Sequence, residues 1–473
     1  MKGRRLRGSI HQGAGTKDHE GKADSRRRRY NHGVTHASRN QRVQHGCGWR
    51  LLVLLCLLAM AAAGCSSGAS DTVPLSSPAR GEMSSSALQR VETKADDSTR
   101  NEASEPMPAA DKAIQGAVGG QQGPEPRAGQ LTAGEWTDVL NWGEWLDKLN
   151  GKEGADALQV WGMYPLHRLV IEVKSGDSPA ADVKVAVKHP DGEVMWESRT
   201  DLQGRAYAYP LLFEQPGRST PKTTYQVEAF VNGQSVASAA EVELSTGQPV
   251  VLDIGSTPAL SNKVDLMLVV DTTGSMADEL QYLSAELKDV VTRAAEQSGD
   301  RLAFRLSANF YRDHEDEYVV RSYPFTEEVD EVVRQMSAQS AAGGGDYPEA
   351  VDEALQDALY GHEWSEQARA RLLLLVLDAP PHDDRKSLSR MRELTAEAAR
   401  MGVRIIPVAS SGVDKSTEYL LRTLAVATGG SYVFLTNDSG IGNDHIEPDI
   451  DQYEVRPLND LLVELILRNT QQQ

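Results

Sequence analysis

The sequence predicts an α/β chain: a doubly wound domain with a metal-suited strand edge, preceded by an all-β sandwich and an unstructured N-terminal region. Three observations predict it. Beyond residue 262, apolar runs of strand length alternate with amphipathic stretches of helix length, an order that winds helices onto both faces of a sheet. Two of these runs, 266–270 and 372–377, are apolar throughout, as strands buried on both faces must be. Between 159 and 255 the apolar period is two instead, interrupted by turn signals.

The chain begins differently. It has 473 residues with 49 Lys and Arg against 68 Asp and Glu, a net charge of −19. Residues 1–50 carry 13 basic residues and three acids, a local +10, so the remainder carries 36 against 65 and stands at −29. That acidity excludes a whole-chain nucleic-acid binder, which needs a basic face for phosphates. The three cysteines, Cys47, Cys56 and Cys65, all precede residue 66, which excludes a disulfide scaffold.

After Arg50, residues 51–63 carry no charge, Gly or Pro. This suits the apolar region of a signal peptide and is too short for a comfortable membrane span. The run closes on Ala61-Ala62-Ala63-Gly64-Cys65, which resembles the bacterial lipobox, with Ala62 where Leu is usual. The resemblance implies lipidation of Cys65 and an exported protein anchored at the outer face of a bacterial cell membrane. The alternative is an ordinary small-residue cleavage site with an incidental cysteine. Residues 1–65 therefore read as a leader, whose long basic part is either a true n-region or a misassigned start. The run Arg26–Arg29 also admits a nucleic-acid reading.

Residues 66–130 contain no Phe, Trp or Tyr and are rich in Ser, Ala, Gly and Pro. Such a segment buries too little apolar surface to offset its ordering entropy, which predicts a disordered tether. In 131–158, Trp136, Trp142 and Trp145 cluster, and Thr132 and Glu135 have capping-box spacing ahead of Trp145, Leu146 and Leu149. This predicts a helical segment that docks by its tryptophans on a neighbouring domain, or else an aromatic ligand platform.

In 159–255, Leu169, Ile171 and Val173 alternate, as do Val183, Val185 and Val187. Further strands are expected at 193–200, 205–210, 225–231, 234–244 and 249–254, with turns at His189-Pro190-Asp191-Gly192, Asp201-Leu202-Gln203-Gly204 and Asn232-Gly233. Some seven short strands read as a β-sandwich. The turn Thr200-Asp201-Leu202-Gln203-Gly204 resembles that of carboxypeptidase-regulatory or transthyretin-like sandwiches. A spacer or presentation role is expected for it.

The doubly wound domain is placed at 262–470, after a short linker. Its first helix carries the stripe Leu280, Leu283, Leu287, Val290, Val291 and Ala294. Strands follow at 302–310, 318–323, 372–377, 403–409 and 431–435, and helices at 326–338, 348–360, 386–401, 416–428 and 457–468. The link between 310 and 318 is too short for a parallel crossover, so these two strands should form an edge hairpin.

Ligands of such folds bind at the carboxyl ends of the strands. Two apolar strands end there in Asp271 and Asp378. Asp271-Thr272-Thr273-Gly274-Ser275 sets a carboxylate and two hydroxyls on one turn, the hard oxygen donors that Mg²⁺ favours. The sequence here resembles the von Willebrand factor type A domain and its metal-ion-dependent adhesion site. Asp271, Thr273 and Ser275 match the Asp-x-Ser/Thr-x-Ser pattern, and Asp378 matches the terminal Asp of a later strand. In Gly343-Gly344-Gly345-Asp346-Tyr347-Pro348-Glu349, Asp346 stands where Thr is common, as in a subgroup carrying Gly-Gly-Gly-Asp-x-Pro-Glu.

The resemblance implies a divalent cation, most simply Mg²⁺ with Mn²⁺ or Ca²⁺ as alternatives, held by Asp271, Thr273, Ser275, Asp346 and Asp378. It implies a binding module for a protein or cell-envelope ligand, not an enzyme. Three carboxylates around one dication leave a net −1, which favours neutral or basic ligands. Other readings stay open. The two aspartates can hydrogen-bond backbone amides, and Thr273, Ser275 and Asp346 can cap helices. Glu349 reads as first-turn compensation of a helix dipole.

The turn Tyr311-Arg312-Asp313-His314-Glu315-Asp316-Glu317 is an acidic rim or a solvated turn, and His382, Asp383 and Asp384 are candidates for the same rim. Two histidines, His314 and His382, do not support a zinc site. A phosphatase-like enzyme using Asp271 as nucleophile is the enzymatic alternative. Its pattern needs a Lys at 272 and a fuller distal motif than Gly440-Ile441-Gly442-Asn443-Asp444. An assembly scaffold with a vestigial metal site is the third.

Overall fold

The computed structural model describes residues 125–217, 224–244, 247–256 and 259–471, which belong to one compact unit. The leader, Cys65 and the tether up to residue 124 lie outside the described residues. Among the described residues no helix is long and apolar enough to cross a membrane.

The first element departs from expectation. Residues Thr132–Trp136 are a strand, β1, not the start of a helix. It pairs antiparallel with a strand of the α/β sheet, Ala133 opposite Leu435 and Trp136 opposite Tyr432. Gly134 explains the fit: a Cβ there would run into the Phe434 ring. The capping-box spacing fails because a turn at 137–141 intervenes, and helix α1 (Trp142–Asn150) starts only after it. Helix α2 (Lys152–Trp161) follows. Trp145 is fully buried, stacked on Tyr419 at 5.8 Å with the Arg422 guanidinium over its ring.

Next come β2 (Leu169–Ser175), β3 (Ser178–Pro179), β4 (Lys184–Lys188), β5 (Val194–Arg199) and β6 (Arg205–Ala208). They continue into β7 (Tyr225–Val231), β8 (Gln234–Val242) and β9 (Val250–Asp253). These form two four-stranded sheets, one of β2 with β3, β6 and β9, the other in the order β5-β4-β7-β8. Ile171, Val173, Val185, Val187, Trp196 and Val227 from both sheets share one buried cluster, as the two-residue period requires. Asp182 ties this region to the α/β sheet, accepting from Arg199 Nε (2.6 Å), Arg371 Nη1 (2.9 Å) and the Ala368 amide (3.1 Å).

The α/β region holds β10 (Lys263–Asp271), α3 (Leu280–Ser298), β11 (Ala303–Tyr311), β12 (Val320–Arg321), α4 (Val329–Ser337) and α5 (Val351–Tyr360). It ends with β13 (Ala370–Leu377), α6 (Arg385–Met401), β14 (Val403–Ala409), α7 (Lys415–Thr428), β15 (Tyr432–Leu435), β16 (Arg456–Pro457) and α8 (Leu458–Thr470). The mixed sheet runs β12-β11-β10-β13-β14-β15-β1-β16. Its five inner strands are parallel and its edges antiparallel, including the expected β11–β12 hairpin.

Strand β10 is central, and its alternation assigns the two layers. Leu266, Leu268 and Val270 cluster with α3, α4 and α8, whereas Met267 and Val269 cluster with α5, α6 and α7. One helix start also differs from expectation. The sequence places it at 348, but α5 begins at Val351. The Glu349 amide donates to Pro380 O (2.9 Å) and Glu349 bridges Pro381, so the backbone is extended there and Pro348 opens no helix.

Candidate metal centre

Parallel winding brings the carboxyl ends of β10, β11 and β13 side by side. Asp271 ends β10 and is fully buried. Its Oδ1 accepts from the Thr273 amide (2.8 Å) and the Thr273 hydroxyl (2.7 Å). Thr273 Oγ1 in turn lies 3.1 Å from Ser275 Oγ. Neither hydroxyl caps the short turn of helix that follows. Asp378, directly after β13, is buried too.

Three loops are laced together around these residues. Gly274 N donates to Gly343 O (3.1 Å) and Ala342 N to Thr272 O (3.1 Å). Asp316 Oδ2 accepts from the amides of Asp313 (3.1 Å) and Gly344 (2.9 Å). The buried Arg312 donates to Thr272 O (3.2 Å) and Ser340 O (2.9 Å). The turn after β11 is therefore a structural clasp at its base. The Tyr347 hydroxyl closes the other side, donating to Gly412 O (2.9 Å) and accepting from Asp414 N (3.1 Å).

Of the residues singled out in the sequence, Asp271, Thr273, Ser275 and Asp378 come together. Asp346 is exposed on the glycine-rich loop. Glu349, read from sequence as a dipole partner, is instead buried and turned toward this site. A Cβ on Gly344 would sit 3.0 Å from its Oε1 and 3.5 Å from Thr273 Cβ, and Gly344 has φ +72°. The loop thus needs glycine to pass over the site. No strong sequence signal marks Glu349, because its burial depends on the extended backbone at 349.

Three buried carboxylate oxygens here have no hydrogen-bond partner, Asp271 Oδ2, Asp378 Oδ1 and Glu349 Oε2, and the buried Tyr311 hydroxyl faces Asp271. Orphaned buried oxygens are costly, and converging carboxylates of this kind suit a hard dication. The electrostatics agree. Burial, against the pull of the Thr273 hydrogen bonds, raises Asp271 to about 6. Burial and the Asp271 charge raise Asp378 to about 7. Burial and the charges of Asp271, Asp313 and Asp378 raise Glu349 to about 9. Without a cation at pH 7, Glu349 holds its proton and Asp378 about half of one; a dication among them would reverse the balance.

Behind the site, buried Glu279 lies 2.9 Å from His445 Nε2 and accepts weakly from the Ser411 amide (3.3 Å). The segment 440–444 serves this corner. Gly442 packs on Glu279, and Asn443 Nδ2 donates to Asp278 Oδ2 (2.6 Å).

Residues 265–438 match the family model described as von Willebrand factor A domain, so the chain carries a domain of that family over this span. A 121-residue stretch is 31% identical to an ariadne-like RING finger protein of Acanthamoeba polyphaga mimivirus. That match covers 25% of this chain and spans only 11% of the viral protein's length. The crystal structure of the conserved hypothetical protein BatB from Bacteroides thetaiotaomicron is similar at 12% identity and a TM-score of 0.32. It covers 43% of this chain and 98% of that one.

Proposed function

We propose that the von Willebrand factor A domain of this chain is a non-enzymatic, metal-ion-dependent binding module. Asp271, Thr273, Ser275 and Asp378 hold a divalent cation, most simply Mg²⁺, and Glu349 lines the same site. The observation that carries this reading is the set of orphaned buried oxygens at one strand edge. The cation supplies a Lewis-acidic position for an oxygen of a protein or cell-envelope ligand. With Asp271, Glu349 and Asp378 ionised, a dication leaves the site at −1, which favours neutral or basic ligands. Asp346, exposed on the rim, adds to that preference. If Asp346→Thr markedly weakens an acidic partner, the charge argument is wrong.

The two small sheets, read as a carboxypeptidase-regulatory-like sandwich, act as a spacer. Their dock at Arg371 lies at the start of β13, whereas Asp378 follows its end, so dock and site are at opposite edges of the sheet. In this reading Cys65 carries a lipid anchor at the outer face of a bacterial cell membrane, and the tether lifts the module away from it. Pull-down from envelope extract tests the whole. A ligand should be retained with Mg²⁺, released by chelator and missed by Asp271→Ala. Capture that survives both chelator and Asp271→Ala would contradict the proposal.

A further inference from the structure

The sequence holds His314 and His382 far apart, which is why two histidines alone suggest no site. The fold brings them together with a third donor. Asp313 and His314 lie on the turn after β11, and His382 lies on the loop after Asp378. One donor atom each from Asp313, His314 and His382 fall within 4.8 Å of one another. His382 Nε2 is 2.8 Å from Asp313 Oδ1, and the imidazole centroids are 5.1 Å apart. Asp313 is buried, His382 half-buried and His314 exposed, so one side of the trio opens to solvent.

A second observation points the same way. Glu353 Oε2 is buried, has no hydrogen bond, and lies 3.3 Å from His314 Nε2. A carboxylate beside a ring nitrogen is the neighbour that orients a metal-bound histidine. The backbone around the trio is held by the Arg312 and Asp316 hydrogen bonds, so Asp313 is pre-positioned, while His314 is exposed beside Glu353.

We infer that Asp313, His314 and His382 form a second metal site, distinct from the Asp271 centre, for a borderline transition dication such as Zn²⁺. Imidazole nitrogen selects such ions over Mg²⁺, which takes oxygen donors. Metal–donor bonds of about 2.0–2.2 Å put tetrahedral donors about 3.3–3.6 Å apart, so the ion takes the place of the His382–Asp313 hydrogen bond while His314 moves in. Three protein ligands with solvent beyond leave a coordination position open.

The test loads the full chain with Zn²⁺ alone in excess Mg²⁺, by equilibrium dialysis with elemental analysis, and repeats it with Co²⁺ for its visible ligand-field bands. Five histidines and the cysteines of residues 1–65 can also take metal, so the quantity read is a difference between variants. The His314→Ala/His382→Ala double variant should bind one equivalent less than wild type and lose a nitrogen-ligated Co²⁺ band. Its cooperative thermal melt should persist, which shows that it folds. Asp271→Asn should keep the extra equivalent. Equal uptake by wild type and the double variant, or loss of the equivalent in Asp271→Asn, would overturn the inference. The outcome is independent of whether the Asp271 centre binds Mg²⁺.

Discussion

Replacing Glu349 by Gln should stabilise the metal-free protein. Glu349 is buried and its carboxyl is raised from 4.5 to about 9. A carboxyl raised on folding contributes its full stability below 4.5 and loses it as pH climbs toward 9, because the unfolded chain gives up the proton first. Each pH unit inside that window costs about 1.4 kcal/mol. At pH 7 the accumulated penalty is therefore about 3 kcal/mol. Gln has nearly the same shape, carries no proton to lose, and escapes the penalty. Chelator-treated Glu349→Gln should melt roughly 4 °C above wild type at pH 7, at ~1.4 °C per kcal/mol for a folded unit of this size. The two should converge near pH 4.5. Saturating Mg²⁺ should narrow or reverse the gap, since wild type regains a ligand that the variant lacks. Differential scanning calorimetry between pH 4.5 and 9, with and without Mg²⁺, reads all of this. A metal-free variant that melts at or below wild type at pH 7 would refute the reasoning, because the carboxyl would then be ordinarily solvated.

Three further outcomes follow from the same geometry. Mg²⁺ binding at pH 7 should release about one to two protons, because Glu349 near 9 is protonated and Asp378 near 7 is half so. Calorimetry in buffers of different ionisation enthalpy measures the release, and affinity should rise with pH. Gly344→Ala should weaken Mg²⁺ binding severalfold, since it places a Cβ against Glu349 on a left-handed backbone; unchanged affinity in a titration would exclude that crowding. Arg422→Ala should destabilise the fold by about 3–5 kcal/mol, because Asp138 would be left a buried carboxylate without its cation and Glu418 would keep only Lys415. Limited proteolysis should then cut within 131–161, the segment that Asp138 pins.

Much of the α/β region was legible because its signals are local. The continuous runs of β10 and β13 fit only strands covered on both faces, and the short 310–318 link permits only a hairpin. Asp271, Thr273 and Ser275 were legible because one turn carries them all. Long-range contacts were not. Thr132 and Glu135 have helix-start spacing, yet β1 forms because its Gly134 accommodates Phe434, some three hundred residues away. Glu349 follows a proline suited to a helix start, yet its pairing with Pro380 and Pro381 keeps the backbone extended there. Asp346 matched a motif position but is exposed, where the sequence alone could not separate it from Glu349. The Asp313, His314 and His382 cluster joins two loops that only the sheet order brings together.

A cation at the carboxyl ends of β10 and β13 can be titrated. The most direct measurement is isothermal titration of Mg²⁺ into chelator-stripped full chain at pH 8, beside Asp271→Asn. One saturable equivalent in wild type, absent from Asp271→Asn while that variant keeps its fold, is the predicted result. No binding by wild type, or equal binding by both proteins, would contradict it.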